Sequence, residues 1–154
     1  VYAWEPVSYN YRAARRTLKH NSIRNCELRN TALSNRTGTT EIVTQFEGGY
    51  LLGGLCCVVQ DAIASPLLQN AGTPITETVD TETIDDRRYH NLQIIHLDLE
   101  GWELPALEGA EHTVAQHRPA IIVEDTEHTC DDILLEWRYT YLHTVSGDRV
   151  YTPT

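Results

Sequence analysis

The sequence predicts an α/β fold with a mostly parallel sheet and a C-terminal antiparallel hairpin. Strand-like apolar runs alternate with amphipathic helical segments, which is the pattern of a parallel sheet connected by helices. Residues 91–99 carry crowded apolar side chains at their centre, as a strand covered on both faces does. Ser146, Gly147 and Asp148 separate two β-prone runs and indicate the hairpin. A chain of 154 residues is expected to form one domain, over residues 1–154.

In the first half of the chain the patterns predict one helix among several strands. Pro6 ends a β-prone run, and residues 8–20 then predict a helix with Ser8 as its N-cap. β-Branched residues and alternating polarity predict strands over 26–33, 40–46 and 75–84.

Two stretches in the middle of the chain are less regular. Residues 47–54 contain four glycines and predict a loop. Residues 55–68 are apolar and ambiguous, and they admit a short helix at 58–64.

The second half predicts an alternation of strands and helices. A helix over 103–116 has Pro105 in its first turn, where the missing N–H costs nothing. Thr129 is expected to cap a later helix that runs to about residue 139. The remaining predicted elements are strands over 91–99, 120–123, 141–145 and 149–152.

The composition favours a folded protein and disfavours several kinds of partner. Hydrophobic residues make up 41% and charged residues 22% of the chain, as in globular domains. A net charge of −10 repels phosphate backbones, so we expect no nucleic-acid partner. No apolar run is long enough for a membrane span and no leader opens the chain, so we expect no membrane partner. The four cysteines form no C-x-x-C pair and indicate reduced thiols in a cytoplasmic protein.

Acidic residues follow three of the predicted strands. They are Glu5, then Asp98 with Glu100, and then Glu124. Because ligands of open α/β sheets bind outside the carboxyl ends of the strands, these acids are candidate site residues. Glu5 suits the two hydroxyls of a ribose, although a capping carboxylate explains it equally well. Asp98 and Glu100 precede Gly101, which lets a backbone approach a ligand, but they also suit a helix N-terminus.

Two other features carry alternative interpretations. His96 lies two residues before Asp98 and is interpreted as a satisfied histidine at the core or rim, with a catalytic role as the alternative. The acidic stretch 124–132 has no ordered ligand spacing and is interpreted as a loop that leads into a helix N-terminus. We therefore predict no metal site.

Several segments together resemble FkbM-type S-adenosylmethionine-dependent methyltransferases. The longest and most specific is IHLDLEGWELPALEGA at residues 95–110. Shorter ones are VYAWEP at 1–6, NTALSN at 30–35, TIDD at 83–86 and RPAIIVE at 118–124. The similarity runs, with gaps, from residue 1 to about residue 125. It implies a class I methyltransferase-like, Rossmann-like fold.

The resemblance also implies an activity and a set of roles. The activity is methyl transfer from S-adenosylmethionine to a hydroxyl of a small molecule or sugar. Glu5, with Pro6, would bind the cofactor ribose, and Ala32 would lie near the adenine. Asp98 would lie near the methionine end, and Glu100 would orient the loop or the acceptor. Asp98 and His96 are the candidate bases.

The sequence departs from the family pattern at its start. In the family a first strand and a glycine-rich turn precede the Glu5-Pro6 strand, and here the chain begins after them. We therefore expect an N-terminally truncated fold that lacks the first βα unit. Position 96, usually lysine in the family, is histidine.

Two functional hypotheses follow from the resemblance and its departures. The first is an S-adenosylmethionine-dependent O-methyltransferase, with the cofactor expected for the parent protein and doubtful for this chain alone. The second is a non-catalytic FkbM-like remnant that self-associates and binds no cofactor. Unpaired strand edges predict a homodimer under either hypothesis.

Overall fold

The computed structural model of the chain describes residues 1–49, 52, 56–58 and 72–154. These residues form two compact units, which are described separately. The first unit contains Val1–Leu33 and Thr37–Glu82, and the second contains Ser34–Arg36 and Thr83–Thr154. The predictions of a loop over 47–54 and of a helix at 58–64 fall largely outside the described residues.

The first unit has one helix and six strands among its described residues. In chain order they are β1 (Tyr2–Trp4), α1 (Ser8–His20), β2 (Glu27–Arg29), β3 (Ala32–Leu33), β4 (Gly38–Phe46), β5 (Cys57–Val58) and β6 (Pro74–Glu82). β1 and β2 form a parallel pair, and the other strands form a sheet in the order β3-β6-β4-β5. β3 runs parallel to β6, whereas β4 is antiparallel to β5 and β6.

Helix α1 has the bounds that the sequence predicted, but its N-terminus is satisfied differently. Val7 occupies the N-cap position and makes no side-chain cap, so the prediction of Ser8 as N-cap is wrong. The carboxylate of Glu77, on β6, accepts hydrogen bonds from the amide and the hydroxyl of Ser8. An acid from a neighbouring strand therefore supplies the negative charge that a helix N-terminus favours.

A buried carboxylate connects the two sheets of the first unit. Glu82, at the end of β6, is 8% exposed. It accepts two hydrogen bonds from the Arg29 guanidinium at 2.6 and 2.9 Å, one from the Trp4 indole and one from the Thr31 hydroxyl. A buried charge is tolerated only when it is paired in this way. The cluster therefore fixes the β1–β2 pair against the four-stranded sheet.

The second unit has three helices, a 3₁₀ turn and four strands. The elements are the 3₁₀ turn (Ile84–Asp86), β7 (Ile94–Leu97), α2 (Glu103–Glu108), α3 (Glu111–His117), β8 (Ala120–Glu124), α4 (Asp131–Glu136), β9 (Tyr139–Val145) and β10 (Asp148–Pro153). The sheet order is β7-β8-β10-β9. β7 is parallel to β8, and the closing hairpin of β9 and β10 is antiparallel, as predicted.

The described sheets are mixed, which corrects the prediction of a mostly parallel sheet. The parallel pairs are β1–β2, β3–β6 and β7–β8. The longer pairs, β4–β6 and β9–β10, are antiparallel. The long strands alternate polar and apolar residues, and one-sided burial of that kind suits antiparallel pairing.

Strand β7 is shorter and more exposed than the sequence predicted. It spans Ile94–Leu97 instead of residues 91–99. Ile95 and Leu97 are buried at 7% and 2% exposure, whereas Ile94 is 57% exposed and His96 is also exposed. The expectation of a strand covered on both faces is therefore wrong for the unit described by itself, since only alternate side chains enter the core.

The helix predicted over residues 103–116 is two helices, with a break at Gly109 and Ala110. Asp85 accepts hydrogen bonds from the amides of His112 and Thr113 at 3.0 and 2.7 Å, which gives α3 an N-terminus of its own. At the break, a Cβ on Gly109 would lie 2.1 Å from the carbonyl oxygen of Ser34. The chain bends here because a second backbone segment passes within contact of the helix end.

The lengths of the helices and the state of the cysteines complete the description. None of the described helices is both long and apolar enough to cross a membrane. All four cysteines lie in the described part of the chain and are reduced, with Cys57 and Cys130 buried and Cys26 and Cys56 half-buried.

The break at Gly109 generates a stability prediction. We expect Gly109→Ala to lower the free energy of unfolding by about 3 kcal/mol, because a backbone carbonyl cannot move aside as a side chain can. Gly38→Ala is the matched control: its Cβ would meet the Thr81 hydroxyl at 3.7 Å, an ordinary contact. Urea unfolding followed by circular dichroism measures both variants. Equal stability of the two would contradict the close approach.

Candidate functional site

The parallel pairing of β7 with β8 brings two acidic residues to one edge of the sheet. The register places Leu97 opposite Val123, so Asp98 and Glu124 come next on their strands. Leu97 and Val123 are both buried, which fixes the register, since a one-residue slip would expose them. The strand-end acids of the second unit therefore lie side by side.

The loop after β7 turns back on itself to bring Glu100 to the same place. Glu100 and Gly101 have φ values of 53° and 96°, in the left-handed region. Glu103, the first residue of α2, accepts hydrogen bonds from the amides of Leu99 (2.6 Å) and Gly101 (3.3 Å). Burial raises the pKa of Glu103, and these amide hydrogen bonds oppose that rise. Glu103 thus holds the loop from beneath at 4% exposure.

Asp98, Glu100 and Glu124 form a cluster that we call the acidic trio. One carboxylate oxygen from each lies within 4.8 Å of those of the other two. The pKa of Glu124 is raised to about 7 by its hydrogen bond with Asp98, then by burial, then by repulsion from Asp98 and the neighbouring glutamates. The pKa of Glu100 is also raised, by burial and by repulsion from Asp98.

This arrangement has two chemical capabilities. A carboxyl pair that shares a proton near neutral pH can accept a proton from a hydroxyl or return it. Three clustered carboxylates also attract a cation, whether an organic cation or a hard metal ion with oxygen ligands. The sequence predicted no metal, and that remains a prediction.

The loop after β8 is organised by a second buried carboxylate. Asp125 accepts hydrogen bonds from the amides of Thr129 and Cys130, both at 2.8 Å, and from the Thr129 hydroxyl at 3.1 Å. Thr129 is therefore not the helix cap that was predicted, because Cys130 occupies the N-cap position of α4. Burial and the charge of Asp125 raise the pKa of the Cys130 thiol to about 12. This thiol is no nucleophile near neutral pH.

His96, a predicted base, lies on the exposed face of β7. Its side chain is 53% exposed, and its Nε2 atom lies 3.1 Å from a carboxylate oxygen of Asp148 on β10. An aspartate in this position orients an imidazole ring. The structure thus gives His96 an acidic partner outside the acidic trio.

The predicted cofactor residues of the first unit surround the start of α1. Glu5 accepts a hydrogen bond from the Val7 amide at 2.9 Å. The side-chain amide of Asn30 donates to the backbone carbonyls of Glu5 and Pro6 at 2.9 and 2.7 Å, which fixes the Glu-Pro turn. Burial raises the pKa of Glu5, hydrogen bonds from Val7 and Asn10 oppose the rise, and repulsion from Glu77 adds to it.

Ala32 opens strand β3 and does not end a long strand as predicted. It is 8% exposed and packs in a cluster with Val7, Ile42 and Val79. Its predicted place near an adenine is not tested by these contacts and stays a prediction.

Sequence reasoning assigned no role to Glu103, Asp125 or Asp148. Glu103 and Asp125 are buried and accept hydrogen bonds from backbone amides. Because acidic residues in loops are usually exposed, nothing in the sequence indicated this burial. Asp148 was interpreted as a turn residue, and only the pairing of β10 with β8 brings it towards β7.

Comparison with known proteins adds a family and a fold. A family model described as the Methyltransferase FkbM domain matches residues 1–142. Among solved structures, methyltransferase FkbM from Methylobacillus flagellatus KT matches with a TM-score of 0.64 at 17% sequence identity. The match covers 99% of this chain and 36% of that protein, so the chain spans about a third of its length. At this identity the likeness shows the fold alone. No curated protein sequence matches the chain.

The acidic trio generates a prediction about stability and pH. Because the folded-state pKa of Glu124 lies above its ordinary value, folding favours the protonated carboxyl, and its stabilisation is lost as the pH rises through about 7. The side chain of Glu124→Gln cannot ionise, so this variant should not lose stability as the pH rises. We expect the variant to gain about 1 kcal/mol over the wild type between about pH 5 and pH 8, after allowing for solvent screening.

Urea unfolding across this pH range measures the difference. Glu136→Gln, which removes an exposed carboxylate from α4, is the matched control and should follow the wild type. A Glu124→Gln curve parallel to the wild-type curve would show that Glu124 does not carry the raised pKa.

Proposed function

The chain belongs to the FkbM methyltransferase domain family, and from this membership we propose that it carries S-adenosylmethionine-dependent O-methyl transfer. The acceptor we propose is a hydroxyl of a small molecule or sugar. The fold we propose is the class I, Rossmann-like arrangement of such enzymes, of which the β7–β8 pair with helices α2 and α3 would be one part. The solved FkbM methyltransferase supports the fold part of this proposal.

The observation that carries the proposal is the acidic trio at the carboxyl edge of β7 and β8. In open α/β sheets, ligands bind outside the carboxyl ends of the strands, which is where these acids lie. Asp98, Glu100 and Glu124 are brought within 4.8 Å without a compensating basic side chain among the described residues that touch them. A cluster of that kind costs folding free energy through repulsion, so a positively charged ligand would relieve it.

The chemistry of the donor set fits the implied cofactor. When bound, S-adenosylmethionine supplies an electrophilic methyl group on a positively charged sulfur. Asp98 would balance positive charge at the methionine end, and Glu100 would orient the loop or the acceptor. In the first unit, the Glu5 carboxylate would accept hydrogen bonds from ribose hydroxyls, with Pro6 shaping its turn and Ala32 lying near the adenine.

The proposed role of the Asp98–Glu124 pair is to receive the proton that leaves the acceptor hydroxyl. A base works best when its pKa lies near the working pH, and the pKa of Glu124 is raised to about 7. The hydrogen bond between the two carboxyl groups keeps the receiving oxygen in place. His96 remains the second candidate base, since the Asp148 carboxylate orients its ring.

We also propose a cytoplasmic location and a homodimer. The four reduced cysteines support the location, because reduced thiols are the rule in the cytoplasm. β9 lies at the end of the order β7-β8-β10-β9 and carries exposed apolar side chains, Leu142 at 51% and Val145 at 52%. An edge strand of that composition is a natural site for pairing with a second copy.

The dimer proposal predicts an effect of one surface substitution. Leu142→Lys should place a charge on the β9 edge and convert a dimer to a monomer, measured by light scattering coupled to gel filtration. Leu135→Lys is the control, since Leu135 is 62% exposed but lies on helix α4 and not on the strand. A monomeric wild type, or equal behaviour of both variants, would contradict pairing through β9.

The activity proposal is tested first by S-adenosylmethionine binding, measured by calorimetry with the whole chain. We expect micromolar binding, with Glu5→Gln and Asp98→Asn each weakening it about tenfold or more, as loss of a charged hydrogen-bond acceptor does. Glu41→Gln, an exposed carboxylate of β4, should leave the affinity unchanged. Absence of binding at millimolar ligand would overturn the proposal for this chain and favour a non-catalytic role.

A further inference from the structure

A concave site lies in the second unit, outside the acidic trio. It is a cleft of about 350 Å³ between helix α3 and the segment that follows the 3₁₀ turn. We call it the basic cleft, and its polar lining is Arg87, Arg88, His90, Thr113, Gln116 and His117. No residue of the acidic trio contributes to it.

The charge of the basic cleft runs against the charge of the chain. The chain has 22 acidic and 12 basic residues, apart from its histidines. The described residues that line the basic cleft nevertheless include two arginines and two histidines and no acid. A concave surface lined by one sign of charge focuses its field on the space inside. This segregation favours an anionic occupant.

The acids next to these arginines in sequence are engaged elsewhere. Asp85 accepts hydrogen bonds from the amides of His112 and Thr113 at the start of α3. Asp86 accepts one from the Thr83 amide at 2.9 Å, as part of the capping box of the 3₁₀ turn. Each carboxylate thus accepts hydrogen bonds from backbone amides, and neither lines the basic cleft.

The walls of the basic cleft are held by the fold. Tyr89 is 8% exposed, and its hydroxyl donates to the Ile84 carbonyl at 3.0 Å. Its ring meets the His117 ring edge-on, with 6.5 Å between centroids. Arg88 is exposed and makes no hydrogen bond or ion pair with another described residue. Because the wall formed by Tyr89 is fixed and the Arg88 guanidinium is accessible to solvent, little ordering is needed when a ligand binds.

We propose that the basic cleft binds the phosphate group of a phosphorylated small molecule. Guanidinium groups bind phosphate oxygens in a two-pronged geometry, and the histidines add donors. The volume lies in the range of small-molecule sites and exceeds the need of a phosphate ion, so an organic portion shares the space. Thr113 and Gln116 offer that portion a hydroxyl and an amide. The proposal stands independently of the proposed methyl transfer.

Three six-carbon sugars provide the test: glucose 6-phosphate, glucuronate and glucose. Titration of the isotope-labelled whole chain, followed by amide chemical shifts in NMR, gives the affinities and the affected residues. We expect glucose 6-phosphate to bind with shifts at residues 87–90 and 113–117, glucuronate to bind at least tenfold more weakly, and glucose not to bind. Arg88→Glu should weaken binding of the phosphate sugar at least tenfold, and Arg88→Lys should retain part of it.

Arg15→Glu makes the same charge change on the exposed face of α1 and is the matched control, with an expected change of less than twofold. Three outcomes would overturn the proposal. Equal weakening by Arg15→Glu would show that net charge alone governs the binding. Equal affinity for glucuronate and glucose 6-phosphate, or no binding of either, would exclude a phosphate site in the basic cleft. These results are independent of S-adenosylmethionine calorimetry.

Discussion

The parallel pairing of β7 with β8 is the constraint on which the candidate site depends. Because Leu97 and Val123 are opposite one another and buried, the strands cannot slip without exposing both. The residue that follows each of them is an acid, so the register brings Asp98 and Glu124 to the same edge of the sheet. The hydrogen bond between the two carboxyl groups, followed by burial, raises the pKa of Glu124 to about 7.

The acids of this chain divide into two kinds by their surroundings. Glu82, Glu103 and Asp125 are buried and surrounded by donors, and each fixes a turn or a junction between strands. The members of the acidic trio have one another as neighbours instead. The first kind connects parts of the fold through hydrogen bonds, whereas the second brings carboxylates together at one sheet edge, as ligand sites often do.

Much of the local structure follows from the sequence, whereas the long-range contacts do not. Helix α1 and the closing hairpin were predictable because periodicity and turn residues act over short distances. The helix predicted over 103–116 divides because Ser34, far away in sequence, passes against Gly109. Apolar content alone could not show that β7 buries one face in its unit. The mixed pairing of β4 with β6 likewise depends on partners that a linear pattern does not name.

The candidate site was predictable to a similar degree. The rule that ligands meet the carboxyl ends of strands led to Asp98, Glu100 and Glu124, but the raised pKa of Glu124 requires the distance between side chains. The family resemblance added a cofactor and an acceptor class, which local patterns could not supply. The basic cleft was not predictable from the sequence, because Arg88 and His117 are separated along the chain. They line the same cleft only because α3 packs beside the segment that contains Arg88.

Cys130 gives the loop after β8 an internal reporter. Its thiol is fully buried and, with a pKa raised to about 12, stays protonated under physiological conditions. Alkylating reagents and oxidants act on thiolates that solvent can reach, so the folded loop protects this sulfur from both. Its modification therefore requires the hydrogen bonds to Asp125 to open first. The rate at which Cys130 is alkylated measures how often this edge of the candidate site unfolds locally.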